Sequence, residues 1–389
     1  MRVFIVAGEP SGDKLGAALM AGLTALAPNV SFHGIGGEQM QAQGMESLFP
    51  ISELSLMGIV EILPKYLHIR RRLFQTVTEA VDFAPDVLIT IDLPAFNIRL
   101  AKEIRKRVPG LRTVHYVAPT VWAWRPGRAE KMAPSIDQVL ALLPFEPPYM
   151  EKAGMRCDFV GHPVVAETQA TAEDATRFRE TFAIAPDVPL VLALPGSRGG
   201  EIKRLAPVFG ETLEVVLAEC PEARVVVPTV SAKADAMQAA LRDWPGQPIL
   251  LDPRGRSPEA AAAEKRAAFA AADVALAASG TVSLELAAAN TPMVIAYDAN
   301  WLTREIVSRM MLVETFTLVN LVSETRAVPE FIGEACRPDR IAPALLELIR
   351  SPEGQEDAMR LTMERLGRGT EAPGLRAARA VLDGLHRSG

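Results

Sequence analysis

The feature that most constrains this chain is an alternation, repeated twice, of short apolar β-branched runs with longer stretches of helical periodicity. The first series comprises residues 3–8 (VFIVAG), 30–36 (VSFHGIG), 86–92 (DVLITID), 112–118 (RTVHYVA), 138–143 (QVLALL) and 157–162 (CDFVGH). A second series follows at 189–196 (PLVLALPG), 223–228 (ARVVVP), 248–252 (PILLD), 273–280 (DVALAASG) and 292–297 (PMVIAY). Runs this continuously apolar suit strands buried on both faces of a parallel sheet. Their alternation with helices implies βαβ units. The expected fold class is therefore α/β, with two Rossmann-like, doubly wound domains facing a central cleft. In such sheets ligands bind beyond the carboxyl ends of the strands, so the loops there are where chemistry is sought. The expected boundaries are 1–165, 166–350 and a C-terminal helical segment 351–389, with a linker near Gly161 to Ala172.

Composition removes several classes. With 41 basic and 47 acidic residues the net charge is −6, a poor field for coating nucleic acid. The three cysteines, Cys157, Cys220 and Cys336, are scattered without a CxxC pair, which argues against a disulfide framework and a structural zinc site. The apolar run at the N-terminus is too short for a signal peptide and turns at once into a glycine loop. No stretch reaches the roughly 18 apolar residues of a spanning helix. A cytoplasmic protein able to touch a membrane surface is expected.

In the first half, GEPSGD (8–13) follows the first strand and opens a helix. Gly8 and Gly12 permit a tight turn, and Ser11 is placed to cap the helix. The string is neither a P-loop nor GxGxxG, which disfavours a nicotinamide dehydrogenase. It is a structural turn or a site; two acids at its mouth, Glu9 and Asp13, favour the site. Asp92 ends the third strand, where it either takes a proton from an incoming hydroxyl or satisfies the turn. Asn97 is read as a cap for the next helix. In residues 115–128 (HYVAPTVWAWRPGR), Trp122 and Trp124 sit beside Arg125 and Arg128. Aromatic faces stack on sugar rings and guanidinium forks grip phosphate. The alternative is a hydrophobic plug under the loop; the arginines favour binding.

In the second half, LPGSRGGEIKR (194–204) puts Gly196, Ser197 and Arg198 before a helix expected to start near Glu201. Small residues, a cation and a helix N-terminus make an anion site suited to a diphosphate. In residues 277–290, Ser279, Gly280 and Thr281 open another helix. Glu285, one turn in, either accepts from ribose hydroxyls or complements the helix dipole. Asn320, alone in an apolar stretch, is a core amide or a cleft residue, the latter favoured. The Ala-rich helix 259–273 needs no explanation beyond propensity. In residues 54–73, Leu56, Ile59, Val60, Leu63 and Leu67 fall at helical spacing ahead of His68, Arg70, Arg71 and Arg72. That is an interface with anionic lipid or a core helix with a solvated basic end.

With these strings in place, the chain resembles the lipid-A-disaccharide synthases. The matching motifs are VAGEPSGD, LMGIVEIL, ID-x-P-x-FN, HYVAPTVWAWR, LPFE, VGHP, LPGSRGGEI, ASGTVSLE and LVNLV, in the family's order from residue 6 to 322. The resemblance implies a GT-B glycosyltransferase at the cytoplasmic face of the inner membrane, with no metal and no cofactor. It implies UDP-2,3-diacylglucosamine as donor, 2,3-diacylglucosamine 1-phosphate as acceptor, and a β-1,6-linked disaccharide plus UDP as products. Asp92 matches the family's proposed base and Glu9 an acid of the acceptor cleft. Ser11, Gly12, Asp13, Asn97, Trp122, Trp124 and Arg125 fall on the acceptor side. Gly196, Ser197, Arg198, Ser279, Gly280, Thr281, Glu285 and Asn320 fall near UDP. Many members carry a second Asp where this chain has Ala95, so that Asp is dispensable here. The resemblance also implies C-terminal helices packed back on the first domain and a possible homodimer. The rival readings are a UDP-sugar 2-epimerase or the transferase of peptidoglycan synthesis on the same fold, and a non-catalytic lipid or nucleotide binder.

Overall fold

The computed structural model describes residues 1–54, 59–299, 312–351 and 354–386, without the side chains of 59–65. It contains two units: Met1–Ala166 with Leu366–Gly389, and Glu167–Arg365.

The first unit is built on six strands, β1 (Arg2–Ala7), β2 (Ser31–Ile35), β3 (Val87–Ile91), β4 (Arg112–Tyr116), β5 (Gln138–Ala141) and β6 (Arg156–Phe159). They form one parallel sheet in the order β2-β1-β3-β4-β5-β6. Alternate side chains serve two cores, since strand side chains point to opposite faces in turn. Val3, Ile5, Ile89 and Ile91 join one cluster with the helices Pro10–Leu26 and Pro373–His386, while Phe4, Val6 and Leu88 join another with Ile59–Phe83 and Pro94–Arg107. That double burial is why β1 and β3 read as near-continuous apolar runs.

The last helix lies on the first one at close range. A Cβ on Gly22 would stand 2.7 Å from the carbonyl oxygen of Gly374, so glycine is what admits the contact. The helix Glu356–Arg365 instead packs within the second unit, against Val282–Ala288 and Leu318–Ser323. The segment belonging to the first unit thus begins at Leu366, not at 351.

Within the expected lipid-facing stretch, residues 55–58, Leu56 among them, lie outside the described residues, as do the side chains of Ile59, Val60 and Leu63. Beyond them, Tyr66 and Leu67 are 49% and 74% exposed and Phe74 38%, while Leu73 is buried. Arg70 and Arg71 are exposed. Arg72 departs from the expected basic cluster. It pairs with both carboxylate oxygens of Glu53 at 2.7 Å and lies over the Phe49 ring. Among the described residues no helix is long and apolar enough to cross a membrane.

The second unit repeats the plan with β7 (Leu190–Leu194), β8 (Arg224–Pro228), β9 (Ile249–Leu251), β10 (Val274–Ala277), β11 (Met293–Tyr297) and β12 (Glu330–Ile332). The parallel order is β12-β11-β10-β7-β8-β9. β12 was not expected from sequence: its three residues, Glu330–Ile332, begin on a charge and make no apolar run, unlike the equally short β9. Both sheets reverse their strand order beside the first strand, between β1 and β3 and between β7 and β10. These switch points open crevices at the carboxyl edge.

Candidate active site

In the first unit the switch point is made by the loops after β1 and β3. Gly8 is buried against Leu93, and a Cβ on Gly8 would stand 2.3 Å from Leu93 Cδ2. This close approach sets Glu9 and Asp92 on adjoining loops. Glu9 is the residue before the helix Pro10–Leu26 and is half-buried. Ser11 therefore lies inside the first turn, exposed, and does not cap the helix as expected. Gly12 packs on Ala7 and Ile91, where a Cβ would find ordinary contact distances near 3.5 Å.

Asp92 and Leu93 both take left-handed backbone, φ 49° and 45°, a conformation costly for side-chain-bearing residues unless the surroundings hold it. The N–H of Asp92 donates to Tyr116 at 2.9 Å. The buried Asn97 amide donates to the carbonyls of Ile91 at 3.0 Å and Asp92 at 2.7 Å. Asn97 is thus neither a helix cap nor an exposed acceptor contact; it braces the turn that carries Asp92. Burial raises the Asp92 carboxyl above the ordinary range, against the opposing N–H of Leu93. A carboxylate with a raised pKa is a stronger base.

Two acceptor-side expectations are corrected. Asp13 does not stand at a mouth. It is 5% exposed, and its oxygens accept the N–H groups of Gly37 (2.8 Å), Gln39 (3.0 Å) and Met40 (3.0 Å), tying the loop after β2 to the first helix. Trp122 is the plug rather than the platform. It is 7% exposed, edge-on to Phe145, and its Nε1 donates to Glu146 at 3.2 Å. Trp124 is half-buried beneath two guanidinium groups, Arg125 at 4.4 Å and Arg128 at 5.8 Å from the ring centre. Arg125 is exposed. Glu146, which sequence reading passed over within LPFE, also accepts from the N–H groups of Leu142 and Leu143 and is 3% exposed.

In the second unit, the loops after β7 and β10 enclose a cavity of about 420 Å³. Gly196, Ser197, Arg198, Ser279, Gly280, Thr281 and Glu285 all line it. Gly196 has φ 108°, and Glu201 accepts from the N–H groups of Ser197 and Arg198 at 3.2 Å each. The helix Gly199–Glu219 thus starts two residues before its expected Glu201. The Arg198 guanidinium is 65% exposed and meets Glu201 at 3.0 Å. With the guanidinium so exposed, it is free to take another anion beside the nearly buried Glu201. Glu285 is ion-paired with Lys265 at 2.5 Å, and Lys265 lines the same cavity. Sequence reading missed Lys265 because it took its Ala-rich helix as featureless; a lone Lys near its middle was the available signal.

Asn320 is corrected to a core amide. It is 1% exposed, donates to the Val328 carbonyl at 2.9 Å and to Glu330 at 3.0 Å, and accepts from the Val328 N–H at 3.0 Å. Glu330, another residue sequence reading missed, also accepts from the N–H groups of Phe316 and Thr317.

A family model described as lipid-A-disaccharide synthetase matches residues 3–373. The lipid-A-disaccharide synthase of Ruegeria pomeroyi is 61% identical over 99% of this chain and 96% of its own length. That of Rhodospirillum centenum is 44% identical over 98% and 94%. Among solved structures, UDP-GlcNAc 2-epimerase from Neisseria meningitidis, bound to UDP-GlcNAc, superposes over the full length of both chains with a TM-score of 0.62 at 12% identity. That last likeness is one of fold, the GT-B architecture of two Rossmann-like domains. Sequence kinship of that extent, on two sheets whose switch points carry the motif residues, leads to one conclusion: the chain belongs to the lipid-A-disaccharide synthase family.

Proposed function

We propose that the chain transfers a 2,3-diacylglucosamine unit from UDP to the 6-hydroxyl of 2,3-diacylglucosamine 1-phosphate in one inverting displacement. The observation that carries this reading is Asp92: a carboxyl group at the β1/β3 switch point, on a braced left-handed turn, with its basicity raised by burial. In the proposed step Asp92 takes the proton of the acceptor hydroxyl as its oxygen bonds to the anomeric carbon, and the bond from that carbon to the UDP oxygen breaks. The transition state is oxocarbenium-like, as in glycoside cleavage. Negative charge grows on the departing diphosphate, and Arg198 with the Ser279–Thr281 loop is placed to stabilise it. Glu9, on the loop beside Asp92, faces the acceptor. Glu285 accepts from the donor ribose.

The same reading places the enzyme on the cytoplasmic leaflet of the inner membrane. The exposed Tyr66, Leu67 and Phe74 beside Arg70 and Arg71 support this, since apolar surface next to basic residues suits anionic lipid.

The test is UDP release by the purified chain given the diacylated donor in detergent, with and without the monosaccharide acceptor. Acceptor-dependent release is expected. Asp92→Ala should abolish it and leave UDP binding intact. Normal turnover by that variant would remove Asp92 as the base, and acceptor-independent conversion of the donor would favour an epimerase.

A further inference from the structure

We infer that Lys265 is a positioning residue for the nucleotide ribose, acting through Glu285; this rests on the donor-site reading of the second unit's cavity. Lys265 belongs to the helix Pro258–Ala271 and Glu285 to the helix Val282–Ala288, on either side of β10. Their charged atoms meet at 2.5 Å on the cavity wall, one carboxylate oxygen, Oε2, taking the ammonium. That leaves Oε1 to accept from a ribose hydroxyl. An unpaired carboxylate would rotate freely between the cavity and solvent. Held by Lys265, its plane is set before the ligand arrives, and a preorganised acceptor spares the cost of ordering it on binding.

Charge supports the same assignment. The charged residues lining the cavity are Arg198 and Lys265, positive, and Glu201 and Glu285, negative. Without Lys265 the wall is net negative and repels a diphosphate. The Nζ of Lys265 also sits 5.1 Å from the centre of the Phe269 ring, which restricts where the ammonium rests. The two side chains are 42% and 35% exposed. An ion pair so placed contributes little to stability, so its removal leaves the fold intact and the ligand effect readable.

The experiment titrates the full chain with UDP and with 2′-deoxy-UDP by calorimetry, in the wild type, Lys265→Met, Lys265→Arg, Glu285→Gln and the Met/Gln double variant. Lys265→Met should weaken UDP about tenfold and narrow the preference for UDP over 2′-deoxy-UDP. Lys265→Arg should restore both. In the Glu285→Gln background the Met change should leave the preference for UDP over 2′-deoxy-UDP where it is, because the carboxylate it positions is gone, while the lost charge weakens both nucleotides alike. In turnover the donor KM should rise while kcat holds. Unchanged binding in Lys265→Met, or an equal loss for both nucleotides with selectivity intact, would overturn the assignment. A wild-type chain that fails to bind UDP, or binding indifferent to Arg198→Ala and Ser279→Ala, would instead bring down the donor-site reading, and the Lys265 role with it.

Discussion

The side-chain amide of Asn97 donates to the main-chain carbonyl of Asp92 at 2.7 Å, from a position with no solvent exposure. A second bond, to Ile91 at 3.0 Å, comes from the same nitrogen. The amide thus closes a turn in which two successive residues hold left-handed backbone. Asn97→Ala leaves the buried Ile91 carbonyl and the partly buried Asp92 carbonyl short of a donor, at about 1–3 kcal/mol, and frees Asp92 to swing. We expect kcat to fall about 10- to 100-fold, with UDP affinity within twofold of wild type. Asn97→Asp should be worse, since it sets a carboxylate against two carbonyl oxygens. Steady-state kinetics beside UDP calorimetry checks both.

Asp13 makes the opposite kind of prediction. Three backbone N–H groups, of Gly37, Gln39 and Met40, depend on its carboxylate. Asp13→Ala strands two of them, those of Gly37 and Met40, in the interior, which should cost roughly 2 kcal/mol or more. Asp13→Asn keeps one acceptor oxygen but turns an NH₂ toward N–H donors, so it rescues only in part. The loss should appear as a lower unfolding midpoint, with kcat per folded molecule largely kept. A variant of full stability and no turnover would return Asp13 to the chemistry.

Two buried groups of the first unit should tilt stability against pH in opposite senses. Burial depresses His115 to about 4. Its unfolded form therefore binds more protons between about pH 4 and 6.5, and stability rises with pH across that window. Burial lifts Glu146 to about 7, outweighing three N–H donors. Its folded form binds more protons between about 4.5 and 7, so stability falls as pH rises there. Each effect is about 3 kcal/mol by the usual conversion, and over the shared window they largely cancel. His115→Gln should uncover the falling slope, and Glu146→Gln the rising one. Urea unfolding from pH 4 to 7.5, read at Trp122 and Trp124 with Trp244 and Trp301 replaced by Phe, checks this. Parallel pH curves for wild type and both variants would contradict it.

What could be read from sequence follows the range of the interactions involved. The strands of both sheets, bar β12, announce themselves as short apolar runs, least interrupted in β1, β7, β10 and β11 where both faces are buried. The position of Asp92 at the carboxyl end of β3 was legible because a polar residue directly after such a run marks it. The choice between Trp122 and Trp124 was not legible. It is made by Glu146, far along the chain after β5, which claims one indole and leaves the other under Arg125. Asp13 and Asn320 were misread for the same reason. Each looks like a free polar group until its backbone partners are folded against it, from Gly37 to Met40 for one and at Val328 for the other. The only local mark of Lys265 is a lysine in an Ala-rich helix, and the residue that gives it meaning lies across β10.

The two glycines Gly196 and Gly280, in the loops lining the second unit's cavity, separate backbone conformation from crowding. Gly196 has φ 108°, and a Cβ there would stand 2.6 Å from Glu201 Oε2. Gly280 has φ 150°, with nothing within 4 Å of the same atom. Both conformations disfavour a side chain, so alanine at either position carries backbone strain of about 1–3 kcal/mol. Only at Gly196 does it also displace the carboxylate that accepts the N–H groups of Ser197 and Arg198. Gly196→Ala should therefore dismantle the loop and weaken UDP at least tenfold. Gly280→Ala, which has room for its methyl group, should lose less affinity. Calorimetry with UDP, alongside thermal unfolding to separate binding from stability, ranks them. A larger loss of affinity at Gly280 than at Gly196 would mean that the nucleotide rests on the β10 loop and that the Glu201-braced turn is scaffolding.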